Sequence, residues 1–411
     1  MGSASQGTYV LPEATAPSLV LAHPTDTEKR RTWTLNHREW GGALTLEEYL
    51  KREPYLTTIP LTRDGGMTHW ILTDSSWSAD SGGNRPVLAS CESIRKRVLI
   101  ASPSDNTVHD GVGHGIGSVF TYPEFRGNRY AARMLNELGP ALRKWQSHGR
   151  DAVCSALWSD IGKAYYAKKG WAVFPSLHVE FPVSTNRTEE SGKDKVSPIT
   201  YDNLEPLCQR DEQLLKEKLL RTAQKTNRTS VAFAPDHDTL RWHLYRDDFI
   251  ASILFKSTPS PPPPQETFTR GALAGPEGRR VWAVWSRNYY GGSSSGSGAP
   301  ADNVDKNTLY ILRLVIEPES SEAENEENPS EDIREAFTAV MQAALREASR
   351  WHLGKVDLWN PSPTIRKLID SGGLQHRWVE RDEDSIPSMM WYGDEDVRNI
   401  EWVANEKYCW C

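Results

Sequence analysis

The sequence predicts an α/β fold built from mixed sheets and arranged as two tandem domains. Three observations point there. At 411 residues the chain exceeds what a single core accommodates. Residues 115–145 pass from an apolar strand (116–121) through a short loop into an amphipathic helix, with Tyr130, Met134, Leu135, Leu138, Leu142 and Trp145 at helical spacing. The second half then echoes the first. Leu157-Trp158, Ser159, a helix and Gly170 are answered by Leu358-Trp359, Asn360, a helix and Gly372.

Taken in order, residues 18–22 (SLVLA) read as a first strand, and Thr25 or Asp26 caps a helix through residue 36. Thr45 with Glu48 three residues on is a capping box, and residues 54–64 read as a surface loop. Residues 68–73 (THWILT) and 87–91 (VLASC) are strands flanking a turn-rich stretch, the second running through ESIRKR into 98–101. A loop over 102–114 precedes the core strand and helix. Then come a strand at 152–158, a short helix over 159–169 ended by Gly170, and further strands within 171–182. The polar stretch STNRTEESGKDK separates a first domain (1–183) from a second (199–411), with 184–198 as linker. In the second domain, strands at 239–244, 249–255, 280–285 and 308–316 lead to a helix over 333–351 and a strand at 356–359. TPSPPPP (258–264), GGSSSGSG (291–298) and the acidic run over 317–332 lack the apolar content to fold and read as solvated loops.

Composition narrows the function classes. A net charge of −7 argues against a nucleic-acid groove. The five cysteines show no zinc-ligand spacing, so no metal is expected, and reduced cysteines suit a cytoplasmic protein. No window is apolar enough to span a membrane. The first residues show no signal-peptide pattern, and Gln6 stands where a myristoylation motif has Ser or Thr. The sixteen tryptophans fall in both halves and read as core fillers.

The loop after the core strand runs Arg126, Gly127, Asn128, Arg129, Tyr130, Ala131. It resembles the pyrophosphate loop of the GNAT acyltransferase superfamily, Arg/Gln-x-x-Gly-x-Gly/Ala, with Arg126 and Ala131 matching and Arg129 standing at the family's glycine. Tyr165-Tyr166-Ala167-Lys168-Lys169-Gly170-Trp171 resembles the second GNAT signature, Phe/Tyr-Tyr-x-x-x-Gly-Phe/Trp. HPTDTEKRRTWTLNHREWGG, LTRDGGMTHWIL, RPVLASCESIRKR and the terminal WVANEKYCWC extend the resemblance, over nearly the whole chain, to the fungal lysine acetyltransferase family. The resemblance implies a GNAT acyl-CoA N-acyltransferase fold followed by a second, degenerate GNAT-like domain. It also implies acetyl transfer from acetyl-CoA to the side-chain amine of free lysine, a small-molecule partner. The second domain has an acidic run where the phosphate loop would stand, so it is expected not to hold coenzyme A.

Such chemistry needs a base for the amine, donors for the thioester oxygen and an acid for the departing thiolate. Backbone N–H groups of Val119, Phe120 and Thr121 are the expected oxyanion donors. Arg126, Gly127, Asn128, Arg129, Tyr130, Ala131 and Ala132 form the expected phosphate cradle at a helix start, with Arg133 a further phosphate contact. Tyr166, at the signature tyrosine, is the candidate acid; packing is its plainer role. Glu92, after LASC, is the candidate base, with a pKa expected to be raised by burial; a salt bridge to Arg95 or Arg97 is its alternative. Asp160 and His178 stand in reserve. Cys411, through its carboxylate, is a third catalytic candidate, since tandem GNAT enzymes include members with a terminal carboxylate as base; a tail packed as a last strand is the alternative. Three readings stay open: a lysine-type acetyltransferase, a GNAT-fold enzyme with another substrate such as a secondary metabolite, and a binding protein that has lost the cofactor.

Overall fold

The computed structural model describes residues 10–147, 149–183, 196–256, 268–290, 304–317 and 329–411. The chain starts with β1 (Leu19–Ala22), α1 (Asp26–Trp40) and α2 (Leu46–Leu56). Both helices open on reciprocal capping boxes, Thr25 with Glu28 and Thr45 with Glu48. Next come β2 (Met67–Asp74), β3 (Ala89–Ala101), β4 (His109–Thr121), α3 (Tyr130–Lys144), β5 (Cys154–Ser159), α4 (Ala164–Ala167), β6 (Ala172–Val173) and β7 (Leu177–Pro182). The second half contains β8 (Ser197–Ile199), α5 (Tyr201–Thr226), β9 (Ser230–Phe233), α6 (His237–Leu254), β10 (Gly271–Ala274), β11 (Val281–Asn288) and β12 (Thr308–Ile316). It ends with α7 (Glu331–Arg350), β13 (Lys355–Trp359), α8 (Pro363–Ser371), β14 (Arg377–Glu380), β15 (Ile386–Trp391) and β16 (Glu401–Trp402).

Two mixed sheets share one plan. The first runs β1-β2-β3-β4-β5-β15-β6, and the second runs β8-β10-β11-β12-β13-β7-β14. In each, the central pair is parallel (β4 with β5, β12 with β13) and the other neighbours along this path are antiparallel. Each sheet takes its sixth strand from the other half of the chain. β15 lies between β5 and β6, pairing Ile386 with Ser159 through to Trp391 with Cys154, while β7 lies between β13 and β14. The sheets therefore do not divide along the chain at 184–198, of which 184–195 lie outside the described residues. β9 adds to the far half of β3, and β16 to β9.

The helix α3 buries Met134, Leu135, Leu138 and Leu142 on one face of the first sheet, against Trp70, Cys91, Ile116 and Leu157. On the second sheet, Phe337, Val340, Met341 and Ala344 of α7 occupy the same position against Ala283, Leu309, Ile311 and Val356. A third apolar cluster joins the sheets, combining Val98, Ala156 and Trp158 with Leu204, Leu244, Trp282, Leu312 and Trp359. Burial at about 25 cal/mol per Å² of apolar surface makes such a shared core the main force holding the halves together.

Several sequence expectations need correction. The strands expected at 239–244 and 249–255 are one helix, α6, capped by Asp236, whose side chain accepts from Thr239 N. Leu240, Trp242, His243, Leu244, Asp247, Asp248, Ile250 and Ala251 are all buried, so α6 is enclosed on most sides and its apolar runs imitate strands. The sequence reading assigns no element to the long α5. β4 begins at His109, not after a loop to 114, because it pairs with β3 from Ile100↔His109 onward. The short helix over 159–169 shrinks to α4. Glu317 is not in a solvated loop: it is 1% exposed and accepts from Arg280, Arg210 and Gly278 N. Burial raises its pKa, but those hydrogen bonds outweigh burial and hold it at about 2. At the other end of the acidic run, Glu331 and Asp332 form the first turn of α7, while 318–328 and the stretches 258–264 and 291–298 lie outside the described residues.

Arg313 of β12 ties the second sheet to α5 and to the C-terminal tail. It donates to Asp211 at 2.7 and 2.9 Å and also pairs with Glu406, and all three side chains are buried. Arg313→Leu strands two buried carboxylates and is expected to cost about 3–5 kcal/mol, read as a lower midpoint in urea; a loss under about 1 kcal/mol would contradict this role.

Candidate functional site

The site begins where the first sheet opens. β4 and β5 pair from Gly113↔Cys154 to Ile116↔Leu157 and then separate. Just beyond, the β3–β4 register slips between Ser90 and Glu92, inserting an extra residue in β4. Ser118 sits in this bulge with φ of 53°, a left-handed conformation that a serine adopts only under constraint. From Gly117 to Thr121, β4 has no strand partner on its β5 side among the described residues, so the stretch holding Val119, Phe120 and Thr121 borders an open gap.

The same strand leads into the phosphate-type loop. After a 3-10 turn at Pro123–Phe125, Gly127 adopts φ of 86° and Arg129 takes the N-cap position of α3 at φ 62°, ψ 21°. No side chain caps this helix, so its first N–H groups, those of Tyr130, Ala131 and Ala132 included, are free to meet an anion. Nothing lies within 4 Å of a Cβ built on Gly127, which leaves the loop open to a ligand. Arg126 donates to Thr121 O at 3.2 Å and its guanidinium lies 5.5 Å from the Phe120 ring, while the Asn128 amide closes the loop onto Phe125 O. Arg129 is exposed, and its side chain has no hydrogen bond or ion pair among the described residues, while its carbonyl accepts from Arg133 N. Its backbone keeps the positive φ that a glycine would favour. Tyr130 contributes only its backbone, because its hydroxyl donates to Pro12 O. Arg133, read from sequence as a phosphate contact, is engaged elsewhere by Glu137, Ala14 O and Leu19 O.

On the other face of the sheet, Glu92 is directly opposite Gly117. His69 Nε2 lies 3.4 Å from Glu92 Oε1, and Ser118 Oγ donates to Oε2 at 3.3 Å. The Trp33 ring of α1 meets His69 edge-on. Burial alone would raise the Glu92 pKa, but His69, Ser118 and Trp33 outweigh it and the pKa is lowered. This corrects the expected rise: Glu92 is held ionised. Its expected alternative also fails: among the described residues Glu92 pairs with His69 and with neither Arg95 nor Arg97, and Arg97 pairs with Glu212 and Asp110.

The tail reaches the same face. Beyond Trp402, which ends β16 in the first sheet, it forms no strand. Asn360 Nδ2 donates to Asn405 O, Glu406 binds Arg313, Tyr408 OH donates to Phe233 O, and the His243 ring bonds Tyr408 O at 3.0 Å. Buried Lys96 of β3 then donates to Cys409 O at 2.7 Å and Trp410 O at 3.1 Å. These anchors lay Cys411 on the core strand: a Cβ on Gly115 would come 2.7 Å from its Sγ, and one on Gly117 would come 3.5 Å from its backbone O. Glycine at 115 makes room for the tail, whereas a Cβ at 117 would make only an ordinary contact with it. Sequence reasoning passed over His69, Lys96 and His243; a lysine within an otherwise buried strand was the available signal for Lys96.

Tyr166 of α4 lies on the α3 face, 8% exposed, in the cluster with Cys91 and Ile116. Burial pushes its phenol pKa up, keeping it protonated. Tyr165 packs edge-on to it. Glu92 and Tyr166 thus face opposite sides of the sheet around one gap. The reserves lie elsewhere. Asp160 accepts from Ser385 N rather than capping a helix, and its pKa is raised by burial. His178 of β7 is in the second sheet beside Glu180 and Asp357, where Lys355 already bridges both carboxylates. All five cysteines are unbridged, and among the described residues no helix is long and apolar enough to cross a membrane.

Parted central strands with a bulge, an uncapped helix behind a glycine-bearing loop, and a second sheet of the same order define a tandem acyl-CoA N-acyltransferase fold of the GNAT type. The family model described as the LYC1 GNAT-like C-terminal domain matches residues 178–411, and the chain belongs to that family. Two curated relatives align end to end. A "Lysine acetyltransferase" of Yarrowia lipolytica is 22% identical, covering 93% of this chain and 97% of its own. An uncharacterized protein of Saccharomyces cerevisiae is also 22% identical, covering 93% and 95%. Among solved structures, Saccharomyces cerevisiae N-myristoyltransferase with bound myristoyl-CoA is similar at a TM-score of 0.48 and 8% identity, covering 95% of this chain and 82% of that one.

Two outcomes follow from this geometry. Arg129→Gly removes a left-handed non-glycine residue and is expected to raise stability by up to about 1 kcal/mol, seen as a higher melting temperature; a lower one would mean that the arginine side chain holds the loop. Gly115→Val is expected to expel Cys411 from β4, read as faster hydrogen exchange across residues 405–411. Unchanged exchange there would contradict the packing.

Proposed function

We propose that this chain transfers an acetyl group from acetyl-CoA to the side-chain amine of free lysine or a closely related amino acid. The observation that carries the reading is the ionised Glu92 opposite Gly117, with Cys411 laid along the same stretch of β4, at the gap where β4 and β5 part. The relative named lysine acetyltransferase supports the same substrate class. The cradle fits coenzyme A on its own evidence, an open Gly127 and an uncapped helix start.

In this reading the α3 N–H groups with Gly127 and Asn128 hold the pyrophosphate, and acetyl-CoA supplies an activated acyl thioester. N–H groups of Val119 to Thr121 that face the gap are placed to donate to the thioester oxygen as it gains charge. Glu92 and the Cys411 carboxyl group hold the incoming amine by charge and hydrogen bonds. A lysine amine has a pKa of about 10.4, far above that of the ionised Glu92, so Glu92 is too weak to deprotonate the free ammonium. It takes the proton once the C–N bond forms and the nitrogen becomes strongly acidic. The C–S bond breaks as this occurs, and Tyr166, from the other face, gives its proton to the departing sulfur.

Coenzyme A release in the presence of lysine tests this. Glu92→Gln is expected to lower kcat by about 10²-fold or more, and Tyr166→Phe by about 10-fold or more, with acetyl-CoA affinity retained in both. Full activity in Glu92→Gln would remove it as the proton acceptor. The pH profile gives a second check. Because the Glu92 pKa is lowered, it stays ionised above pH ~4.3, and kcat/KM should rise about tenfold per pH unit from 7 to 9 with the neutral amine fraction. An inflection near pH 6 would contradict this assignment.

A further inference from the structure

Among the described residues, three cations beside the tail lack the carboxylate partner that the buried arginines Arg270, Arg287 and Arg313 have. The three are Arg246 of α6, Arg381 just before β15, and Lys407 of the tail. Arg381 is 8% exposed and Lys407 3%, while Arg246 is half-buried. Arg270, Arg287 and Arg313 are also buried, and each has an aspartate or glutamate within ion-pair distance. Among the described residues, Arg246, Arg381 and Lys407 have no such partner. Arg381 uses only Nε, donating to Ser385 O at 3.2 Å, and both terminal nitrogens are without a hydrogen bond. Arg246 donates to the neutral amide oxygen of Asn288 at 3.1 Å. The charges of Asp160 and Asp357 act on Lys407, but neither makes an ion pair with it: Asp160 accepts from Ser385 N, and Asp357 pairs with Lys355.

The three are linked through shared rings. Lys407 Nζ lies 3.9 Å from the Trp410 centroid, and the Arg246 guanidinium lies 5.7 Å from that same ring. On its other side Lys407 Nζ is 4.2 Å from the Trp359 centroid, and the Arg381 guanidinium is 4.1 Å from it. Tyr310 adds a further face at 4.5 Å from Lys407. Ring faces offset part of the desolvation of a buried cation but do not replace an anion. Burial accordingly pulls Arg246 and Arg381 down to about 10, and Lys407 well below its usual range. Trp410, which touches two of the three, directly precedes Cys411 at the amine site.

We propose that Arg246, Lys407 and Arg381 form an anion subsite that takes the α-carboxylate of an amino acid whose side-chain amine lies at Glu92 and Cys411. The inference rests on the acetyltransferase reading and specifies its acceptor: an amine and a carboxylate on one flexible chain. An aromatic wall with an unpaired cation cluster selects charge and planarity, the properties of a carboxylate.

Acetyl transfer to L-lysine is compared with transfer to 1,5-diaminopentane, the same diamine chain without the carboxylate. The wild-type protein is expected to prefer lysine by about 10²-fold in kcat/KM. Arg246→Gln and Arg381→Gln should each cut that preference at least tenfold, chiefly through KM for lysine, and Arg246→Lys should recover part of it. Equal use of both amines by the wild type overturns the subsite. A readout independent of turnover is the melting temperature with added hexanoate, hexylamine or inorganic phosphate. Hexanoate should raise it in the wild type but not in Lys407→Met or Arg246→Gln. A shift lost in those variants, with no turnover of any amine, would keep the subsite and sink the acetyltransferase reading. No hexanoate shift, or an equal shift from phosphate, would overturn the carboxylate assignment.

Discussion

The exchange of one strand between the two sheets is the constraint on which the rest of the molecule depends. β15 is bonded on both edges inside the first sheet, and β7 is bonded on both edges inside the second. Neither sheet can complete its β-ladder without the other half of the chain. The apolar cluster that joins Val98 and Ala156 to Trp282, Leu312 and Trp359 is a consequence of this arrangement. It fixes where the tail must cross. After β16 in the first sheet, the tail touches Arg313 of the second sheet through Glu406 and then returns to β4 at Cys411.

Along that path, buried polar groups are matched one by one. Glu406 meets Arg313, His243 meets Tyr408 O, and Lys96 meets the carbonyls of Cys409 and Trp410. An ammonium inside a strand is costly to desolvate unless its protons find acceptors, and burial does lower the Lys96 pKa. The carbonyls that satisfy it also fix the direction of the final residues. One interaction thus stabilises a buried lysine and delivers Cys411 to the strand facing Glu92. Arg246, Arg381 and Lys407 break this pattern of matched charges, and they do so beside the same residues.

What the sequence disclosed was local. The Arg126–Ala131 loop, a helix cap at Thr25 or Asp26, the capping box at Thr45, the amphipathic α3 and the repeat of Leu-Trp before a helix are contained in short windows, and the structure has Thr25 as the first cap and all the others. The second sheet was legible through that repeat. What escaped was set by distant contacts. A strand such as β15 carries no mark of which sheet it will enter. The tail's approach to β4 depends on Lys96, more than three hundred residues away in sequence. The helix α6 was misread because enclosure on most sides erases the amphipathic signal. The electrostatics of Glu92 also escaped, since His69 and Ser118 come from different strands.

The measurement that tests the account most directly is the stoichiometry of acetyl-CoA binding by calorimetry. Both sheets have the same strand order, but the account places an acyl-CoA cradle only at the gap between β4 and β5, beside α3. It predicts one acetyl-CoA per chain, with binding weakened when Gly127 is replaced by a bulky residue. Two equivalents per chain, or none, would contradict it.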